Sequence, residues 1–322
     1  MTFLKDKFVL EKVTSPPVWM RTLIPVLALV VTFILTSGLI LLTGTDPLEA
    51  YYYFLIAPLS TRVGVLEVLV TATPLILAGV AVTFAFSAGY YNIGAEGQLY
   101  AGAIMAAWLG TVLGGVPSVL AIPLMLLGGF LGGMAWALIP ALLRVKMAVD
   151  EVVTTLLLNS VMLYIVSALL NGPWRDPESG WPQSPEIAMC TRLPKLIPRS
   201  RLNLGFVIAL IALAVLWFVL TRTGFGLKMR AVGLGKAGAR FAGVEVERTV
   251  LTAALISGGI AGIVGVCEVA GIQFHLTGEI SPGYGYTGII IATLGALNAL
   301  GVGAAALFFG LVDTGAQTVS RA

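Results

Sequence analysis

The stretch ALISGGIAGIVGVCEVAGIQF, residues 254–274, decides the fold class of this chain. It is apolar for nearly its whole length and carries a single charged residue, Glu268. Small residues recur within it four positions apart, as at Gly258 and Gly262. About 20 apolar residues are enough to cross a bilayer as a helix, and small residues at this spacing let two such helices approach closely. The stretch therefore predicts a tightly packed transmembrane helix.

The composition extends this prediction to the whole chain. Of its 322 residues, 58% are hydrophobic and 11% are charged, whereas about 25% are charged in an ordinary soluble domain. The mean hydropathy is +0.96. Two cysteines and one histidine are too few to predict a disulfide framework or a multi-histidine metal site. The net charge of the chain is +3. The basic residues lie mainly at segment ends and do not indicate a nucleic-acid partner.

Runs that are nearly free of charge mark the candidate spans. We predict an all-α, polytopic transmembrane helix bundle of about 8–10 spans, forming one domain over residues 1–322. The last two runs are short for a span, so we expect them to be tilted, re-entrant or buried inside the bundle. The runs cover about 22–43, 64–87, 94–113, 117–143, 152–171, 204–221, 250–270, 285–298 and 300–316.

Basic residues near the ends of spans predict the orientation, because lysine and arginine concentrate on the cytoplasmic side. The N-terminal segment 1–21 and the basic segment 222–249 are expected in the cytoplasm. The loop 171–203, rich in proline and tryptophan, is expected outside, although it also holds several basic residues. The residues that place the N-terminus inside are Lys5, Lys7, Lys12 and Arg21.

One carboxylate stands alone in the third run. Glu96 is the single charged residue between Glu67 and Arg144. Asn92 is expected to cap the helix that follows it, with Glu96 in the first turn, where the positive end of the helix dipole stabilises a carboxylate. Glu96 would then start a helix and hold it to a neighbour. A role in a substrate path or gate is the alternative.

The basic segment contains the sequence KAGARFA, residues 236–242, between natural breaks at Gly235 and Gly243. It is long enough for about two helical turns, with Lys236 and Arg240 on one face. The segment is either a solvated loop with an incidental short helix or a rigid element presented to a cytoplasmic partner. His275, the lone histidine, is either a proton carrier or a structural residue.

Three blocks carry a resemblance to a known family. YYNIGAEGQLYAGA (90–103) resembles a motif of permease subunits of bacterial ATP-binding-cassette (ABC) importers for nucleosides, within the ribose, simple-sugar and branched-chain amino-acid permease superfamily. TGFGLKMRAVGLGKAGARFAGVEVERTVLTAALISGGIAGIVG (223–265) resembles the family's cytoplasmic coupling segment and the helix after it. SPGYGYTGIIIATLGALNALG (281–301) is similar to a third block of the family.

The resemblance implies a permease that translocates nucleosides delivered by an extracellular binding protein across the bacterial inner membrane. It implies a second permease subunit, a paralogue, and a separate ATPase subunit that binds ATP and magnesium. The chain itself would bind no cofactor and would not be an enzyme, since it carries no P-loop motif. It also implies a coupling helix that docks on the ATPase, formed by Gly235, Lys236, Ala237, Ala239, Arg240, Phe241 and Gly243.

Several polar residues in the apolar runs are candidates to line the substrate path. For Glu268 and Asn159 the alternative is a helix–helix contact. The candidates are Asn92, Glu96, Gln98, Thr154, Asn159 and Glu268, with Thr155 as a further candidate beside Thr154. Members of the family usually carry one further C-terminal span. Alternative cargoes are ribose-like sugars, an autoinducer or branched-chain amino acids, and a secondary transporter is the alternative of another class.

Overall fold

The computed structural model describes residues 18–42 and 44–320, and this part of the chain is almost entirely helical. Most of the predicted N-terminal segment, with Lys5, Lys7 and Lys12, lies outside the described residues. The helices are α1 (Val18–Leu42), α2 (Pro47–Tyr51), α3 (Ala57–Ser60), α4 (Arg62–Ser87), α5 (Ala95–Val112), α6 (Ser118–Met147), α7 (Glu151–Asn171), α8 (Leu204–Arg222), α9 (Gly224–Leu234), α10 (Lys236–Phe241), α11 (Val246–Glu268), α12 (Tyr284–Leu294) and α13 (Ala299–Val319).

Each predicted apolar run is helical for most of its length. In the described part, six helices are long and apolar enough to cross a membrane: α4, α6, α7, α8, α13 and α11 with its π-helical continuation to Gln273. A seventh span results if the two helical pieces 30–42 and 47–60, bent by 119° to each other, count as one. α12, with 11 residues, is one of the two short helices that the sequence predicted near the end of the chain. The prediction is wrong for the other run, because α13 has 21 residues and is long enough to cross a membrane.

The core forms where α11 crosses α5 and α6 at backbone contact. A Cβ atom on Gly262 of α11 would collide with the carbonyl oxygen of Gly129 on α6. A Cβ atom on Gly102 of α5 would collide with the backbone of Gly262. Only glycine permits this approach, so the prediction of close helix crossing through small residues in 254–274 is confirmed.

The loop 171–203 packs on one end of the bundle. The backbone N–H of Ala188 donates to the carbonyl oxygen of Gly110, near the end of α5, at 2.9 Å. The guanidinium group of Arg201 forms a two-pronged ion pair with the carboxylate of Glu67 on α4. These hydrogen bonds raise the pKa of Arg201 above its ordinary value. The loop is thus an ordered cap held to the bundle.

The basic segment packs on the opposite end, where α4 and α6 finish. It contains the helix α9, which the sequence interpretation missed, followed by the predicted short helix α10. Both helices contribute to a small apolar cluster with the start of α11. The cluster consists of Ala85, Tyr90, Ala141, Val232, Ala239, Val246, Val250 and Ala254. The interpretation of this segment as a solvated loop is therefore wrong.

The segment 274–283 between α11 and α12 is irregular. Phe274 and Gly283 have left-handed backbone conformations, with φ of 62° and 98°. The hydroxyl of Tyr100 on α5 donates to the carbonyl oxygen of Gly278 at 3.0 Å. The irregular backbone thus packs against α5, which is how such backbone is tolerated within a membrane protein.

Candidate functional site

Two buried amides form a pair at the start of α5. Asn92 Nδ2 donates to Gln98 Oε1 at 2.8 Å, and Gln98 Nε2 donates back to Asn92 Oδ1 at 3.1 Å. Asn92 Nδ2 also donates to the hydroxyl of Ser257 on α11 at 3.0 Å. The predicted cap is wrong: the capping residue of α5 is Gly94. Asn92 lies two residues before it, where its Oδ1 accepts from the N–H of Gly94 at 3.0 Å.

Glu96 occupies the first turn of α5, as predicted, and is 4% exposed. Its Oε2 accepts a hydrogen bond of 2.7 Å from the backbone N–H of Gly285, in the first turn of α12. A Cβ atom on Gly285 would collide with the backbone of Glu96. The carboxylate therefore lies at the N-termini of two helices, where both dipoles favour its negative charge. The predicted contact with a neighbouring helix is confirmed.

Asn159 joins α7 to the same cluster. Its Oδ1 accepts from the N–H of Gly97 at 2.9 Å. Its Nδ2 donates to the carbonyl oxygen of Ile93 and to the hydroxyl of Tyr286 on α12, both at 3.0 Å. Thr155, one turn earlier on α7, accepts from the N–H of Ile93 at 3.2 Å. Asn159 makes the helix–helix contact that was one of its two interpretations.

Three further residues complete this polar cluster. Thr155 was a candidate beside Thr154 on the same run, whereas Ser257 and Tyr286 were not candidates. Each lies in a different helix, and each is separated from its partner by more than 60 residues of sequence. The small side chain of Ser257 among glycines is the one local signal that could have drawn attention to it.

Thr154 and Glu268 lie outside the cluster. The Thr154 hydroxyl donates to the carbonyl oxygen of Asp150 within its own helix at 2.9 Å. Glu268 ends α11 and is 5% exposed. It lies within electrostatic range of Arg201, at the end of the bundle that the loop covers. Of the seven candidate path residues, five therefore lie in the cluster, and Thr154 and Glu268 lie at separate positions.

His275 connects the irregular segment to the loop. Its Nδ1 lies 3.0 Å from the carbonyl oxygen of Ser184, and the N–H of the next residue, Leu276, donates to the Ser184 hydroxyl at 2.8 Å. Beside it, the guanidinium carbon of Arg192 lies 4.4 Å from the centre of the Phe274 ring. These contacts give His275 a structural place in the attachment of the loop.

The short helix α10 presents a mostly exposed surface at the opposite end. Two large apolar side chains lie at its ends. Leu234, just before the helix, is 92% exposed, and Phe241, its last residue, is 96% exposed. Arg240 is exposed and its Nη2 lies 2.5 Å from Glu247 Oε1. Ala239 differs, since it is 4% exposed and packs in the apolar cluster. The other predicted coupling residues, which are all exposed, are Gly235, Lys236, Ala237 and Gly243.

Comparison with known proteins gives a family and several close relatives. Residues 64–321 match the family model described as branched-chain amino acid transport system / permease component. The chain is 35% identical to the glucose ABC transporter permease protein TsgB13 of Haloferax volcanii, over 95% of this chain and 83% of that protein. No solved structure matches the chain.

Two further relatives have another named cargo. The chain is 32% identical to the guanosine ABC transporter permease protein NupP of Bacillus subtilis, over 91% of this chain and 85% of that protein. It is 30% identical to the nucleoside ABC transporter permease protein NupB of Lactococcus lactis, over 94% of this chain and 85% of that protein. With the helical bundle and its membrane-length helices, these matches lead to one conclusion: the chain belongs to this family of membrane-spanning ABC transporter permease components.

Proposed function

We propose that this chain is the permease subunit of an ATP-driven importer for nucleosides delivered by an extracellular binding protein. The observation that carries the proposal is its identity of 32% and 30% to a guanosine and a nucleoside permease, over more than nine-tenths of its length. The motif at 90–103 supports the same cargo class. In its bacterial inner membrane, the N-terminus and α10 would face the cytoplasm.

A sugar is the second candidate cargo, because a glucose permease is 35% identical to the chain. A nucleoside carries a planar base that a free sugar lacks, and an aromatic or apolar surface on the path would bind that base. In an uptake assay, different unlabelled compounds should therefore compete with each of the two cargoes, even though the architecture of the transporter is the same for both.

We propose that the ATPase subunit docks on α10. Phe241 and Leu234 are the most exposed of the large apolar side chains at this end, and exposed aromatic residues are frequent anchors of interfaces. Arg240 and Lys236 add positive charge beside them. ATP and magnesium would bind to the ATPase. Its nucleotide state would then move α10 and, through Ala239, the ends of the helices against which it packs.

We propose that the cluster of Asn92, Glu96, Gln98 and Asn159 serves the substrate path by positioning rather than by direct contact. Its hydrogen bonds join α5, α7, α11 and α12, so these helices would move together when the bundle, paired with a second permease subunit, changes conformation. Thr154 and Glu268, which lie outside the cluster, are the candidates for direct contact with the cargo.

Uptake of labelled compounds tests the cargo. Cells with and without this gene, otherwise equal, would be given labelled guanosine, uridine, glucose, ribose and leucine in turn. We expect gene-dependent uptake of the nucleosides, reduced by excess unlabelled nucleoside and not by glucose. Gene-dependent uptake of glucose alone would assign the sugar candidate, and uptake of leucine alone would assign an amino-acid cargo.

A further inference from the structure

Two cavities adjoin at the end of the bundle that carries α9. The first has a volume of about 470 Å³ and is lined by residues that include Phe86, Trp217, Arg230 and Asn298. The second, of about 590 Å³, is a groove between α8 and α13. Trp217 and Ala299 line both. The two spaces are therefore neighbours that meet at the Trp217 ring.

The groove has the properties of a lipid-facing surface. Both helices that form it are candidate membrane spans. Small side chains, Ala214 on α8 and Gly303 and Ala304 on α13, leave the space open. Leu300, which also lines it, is 81% exposed. In a bilayer, this apolar groove between two candidate spans would face lipid acyl chains.

The mouth of the groove is basic. Arg230 lines the first cavity, and the guanidinium carbon of Arg222 lies 5.5 Å from the centre of the Trp217 ring. Both arginines are exposed, and within residues 18–42 and 44–320 neither takes part in an ion pair. Tryptophan is enriched at the level of lipid headgroups, which places this mouth at the membrane–water boundary.

From this arrangement we infer a binding site for an anionic phospholipid, with its phosphate at Arg230 and Arg222 and one acyl chain in the groove. The mouth complements the charge of a phosphate group, and the charged pocket continues into the apolar groove. Basic pockets between transmembrane helices bind anionic headgroups in this way. A soluble anion would bind only at the mouth, and a second permease chain would cover only the groove.

Lipid retention by the purified, assembled transporter tests the headgroup site. The complex would be reconstituted with equal amounts of phosphatidylglycerol and phosphatidylcholine, extracted in mild detergent and analysed by native mass spectrometry. We expect preferential retention of phosphatidylglycerol, and a preference about fivefold lower in Arg230→Gln. Lys228→Gln, which removes an exposed cation from the same helix, is the matched control and is expected to keep the preference.

A second pair of variants tests the groove. Ala304→Phe fills it from an exposed position, whereas Ala316→Phe places the same ring at an exposed position of α13 outside it. We expect Ala304→Phe to lower retention of both lipids and Ala316→Phe to leave it unchanged. Retention unaltered in Arg230→Gln and Ala304→Phe would overturn the inference. Cross-linking from position 304 to another permease chain, with none to lipid, would also overturn it.

The site depends only on insertion of the chain in a membrane. The lipid measurement does not involve cargo or ATP, so its failure is distinguishable from a failure of the proposed transport function.

Discussion

Glu96 on α5 accepts a hydrogen bond of 2.7 Å from the backbone N–H of Gly285 on α12, although 189 residues separate the two in sequence. The contact joins the N-termini of two helices through one buried carboxylate. It lies beside the pair formed by Asn92 and Gln98 and the bridge made by Asn159. The lone carboxylate of the third apolar run thus has a definite structural partner.

Removal of the Glu96 carboxylate should destabilise the bundle, whereas its conversion to an amide should not. In Glu96→Ala the N–H of Gly285 loses its partner, which costs about 1–3 kcal/mol for a buried donor. Glu96→Gln retains an acceptor oxygen and is expected to keep most of the stability. Thermal unfolding of the purified permease measures both effects.

The control for this comparison is Glu279→Ala, because Glu279 is an exposed carboxylate in the neighbouring irregular segment. Equal stability of Glu96→Ala and Glu279→Ala would contradict the structural role of Glu96. Complete loss of uptake in Glu96→Gln at normal stability would instead assign the carboxylate to the substrate path.

The crossing of α11 with α5 and α6 should not tolerate a side chain at its closest point. Gly262→Ala places a methyl group against the carbonyl oxygen of Gly129, and overpacking of this kind costs about 1–3 kcal/mol. Gly38→Ala in α1 is the matched control, since no atom lies within 4 Å of its added Cβ. Loss of thermal stability confined to Gly262→Ala is expected, and tolerance of both changes would argue against the close crossing.

Most helices could be predicted because apolar runs of spanning length leave few alternatives in a membrane. α9 could not, since Lys228 and Arg230 interrupt its apolar pattern. Its helical structure depends on Met229 and Val232, which are buried in the packed bundle. The periodicity of so short a segment does not show which of its faces will be covered.

The types of residue in the candidate site could be predicted from the sequence, whereas their hydrogen-bond partners were harder to predict. Polar residues in apolar runs identified Glu96 and Asn159, because burial of such groups is costly unless they have partners. The partners themselves, such as Ser257 and Tyr286, come from distant helices, and the local sequence does not show that they contact these residues. Asn92 shows the same limit: its local pattern predicts a cap, but its amide also donates to the distant Ser257 on α11.

Ala239 shows why burial matters to the design of coupling variants. The sequence interpretation treated all of 235–243 as one docking surface, but Ala239 packs in the apolar cluster at 4% exposure. A bulky acidic residue there would disturb the permease itself. The exposed Phe241 is the better position, because its substitution leaves the packing of the chain unchanged.

Phe241→Ala should weaken association with the ATPase without destabilising the permease. The side chain is 96% exposed, so the change in unfolding free energy should stay within about 0.5 kcal/mol. Loss of an aromatic anchor costs about 2 kcal/mol of binding, or about 30-fold in affinity. Titration of the purified permease with its ATPase subunit measures this change.

Trp181→Ala is the control for the docking prediction. Trp181 is 70% exposed in the loop at the other end of the bundle, so its removal should leave ATPase affinity as it is. Equal affinity of Phe241→Ala and the unmodified permease would contradict the assignment of α10 as the docking element.

The loop should loosen in acid through Asp176. Hydrogen bonds from Ser179 and Gln183 hold the pKa of the Asp176 carboxyl below its ordinary value of 3.8. Because the folded pKa is the lower one, the stabilisation is present above pH 3.8 and is lost as the pH falls through the folded value. The rate of pepsin cleavage within 171–203 should therefore rise over this range.

Two variants separate this effect from the pH dependence of pepsin. Asp176→Asn lacks the titrating group and should be cleaved readily at each pH, whereas Glu178→Gln, at an exposed position of the same loop, should behave as the unmodified chain. A constant ratio of cleavage between the unmodified chain and Asp176→Asn across the range would contradict the prediction.

Guanosine uptake by proteoliposomes that contain the permease, its partner permease, the ATPase and the binding protein is the decisive test of ATP-driven import. The proposal predicts uptake that requires ATP on the side of α10 and persists when the proton gradient is dissipated. Uptake that follows the proton gradient and ignores ATP would contradict it.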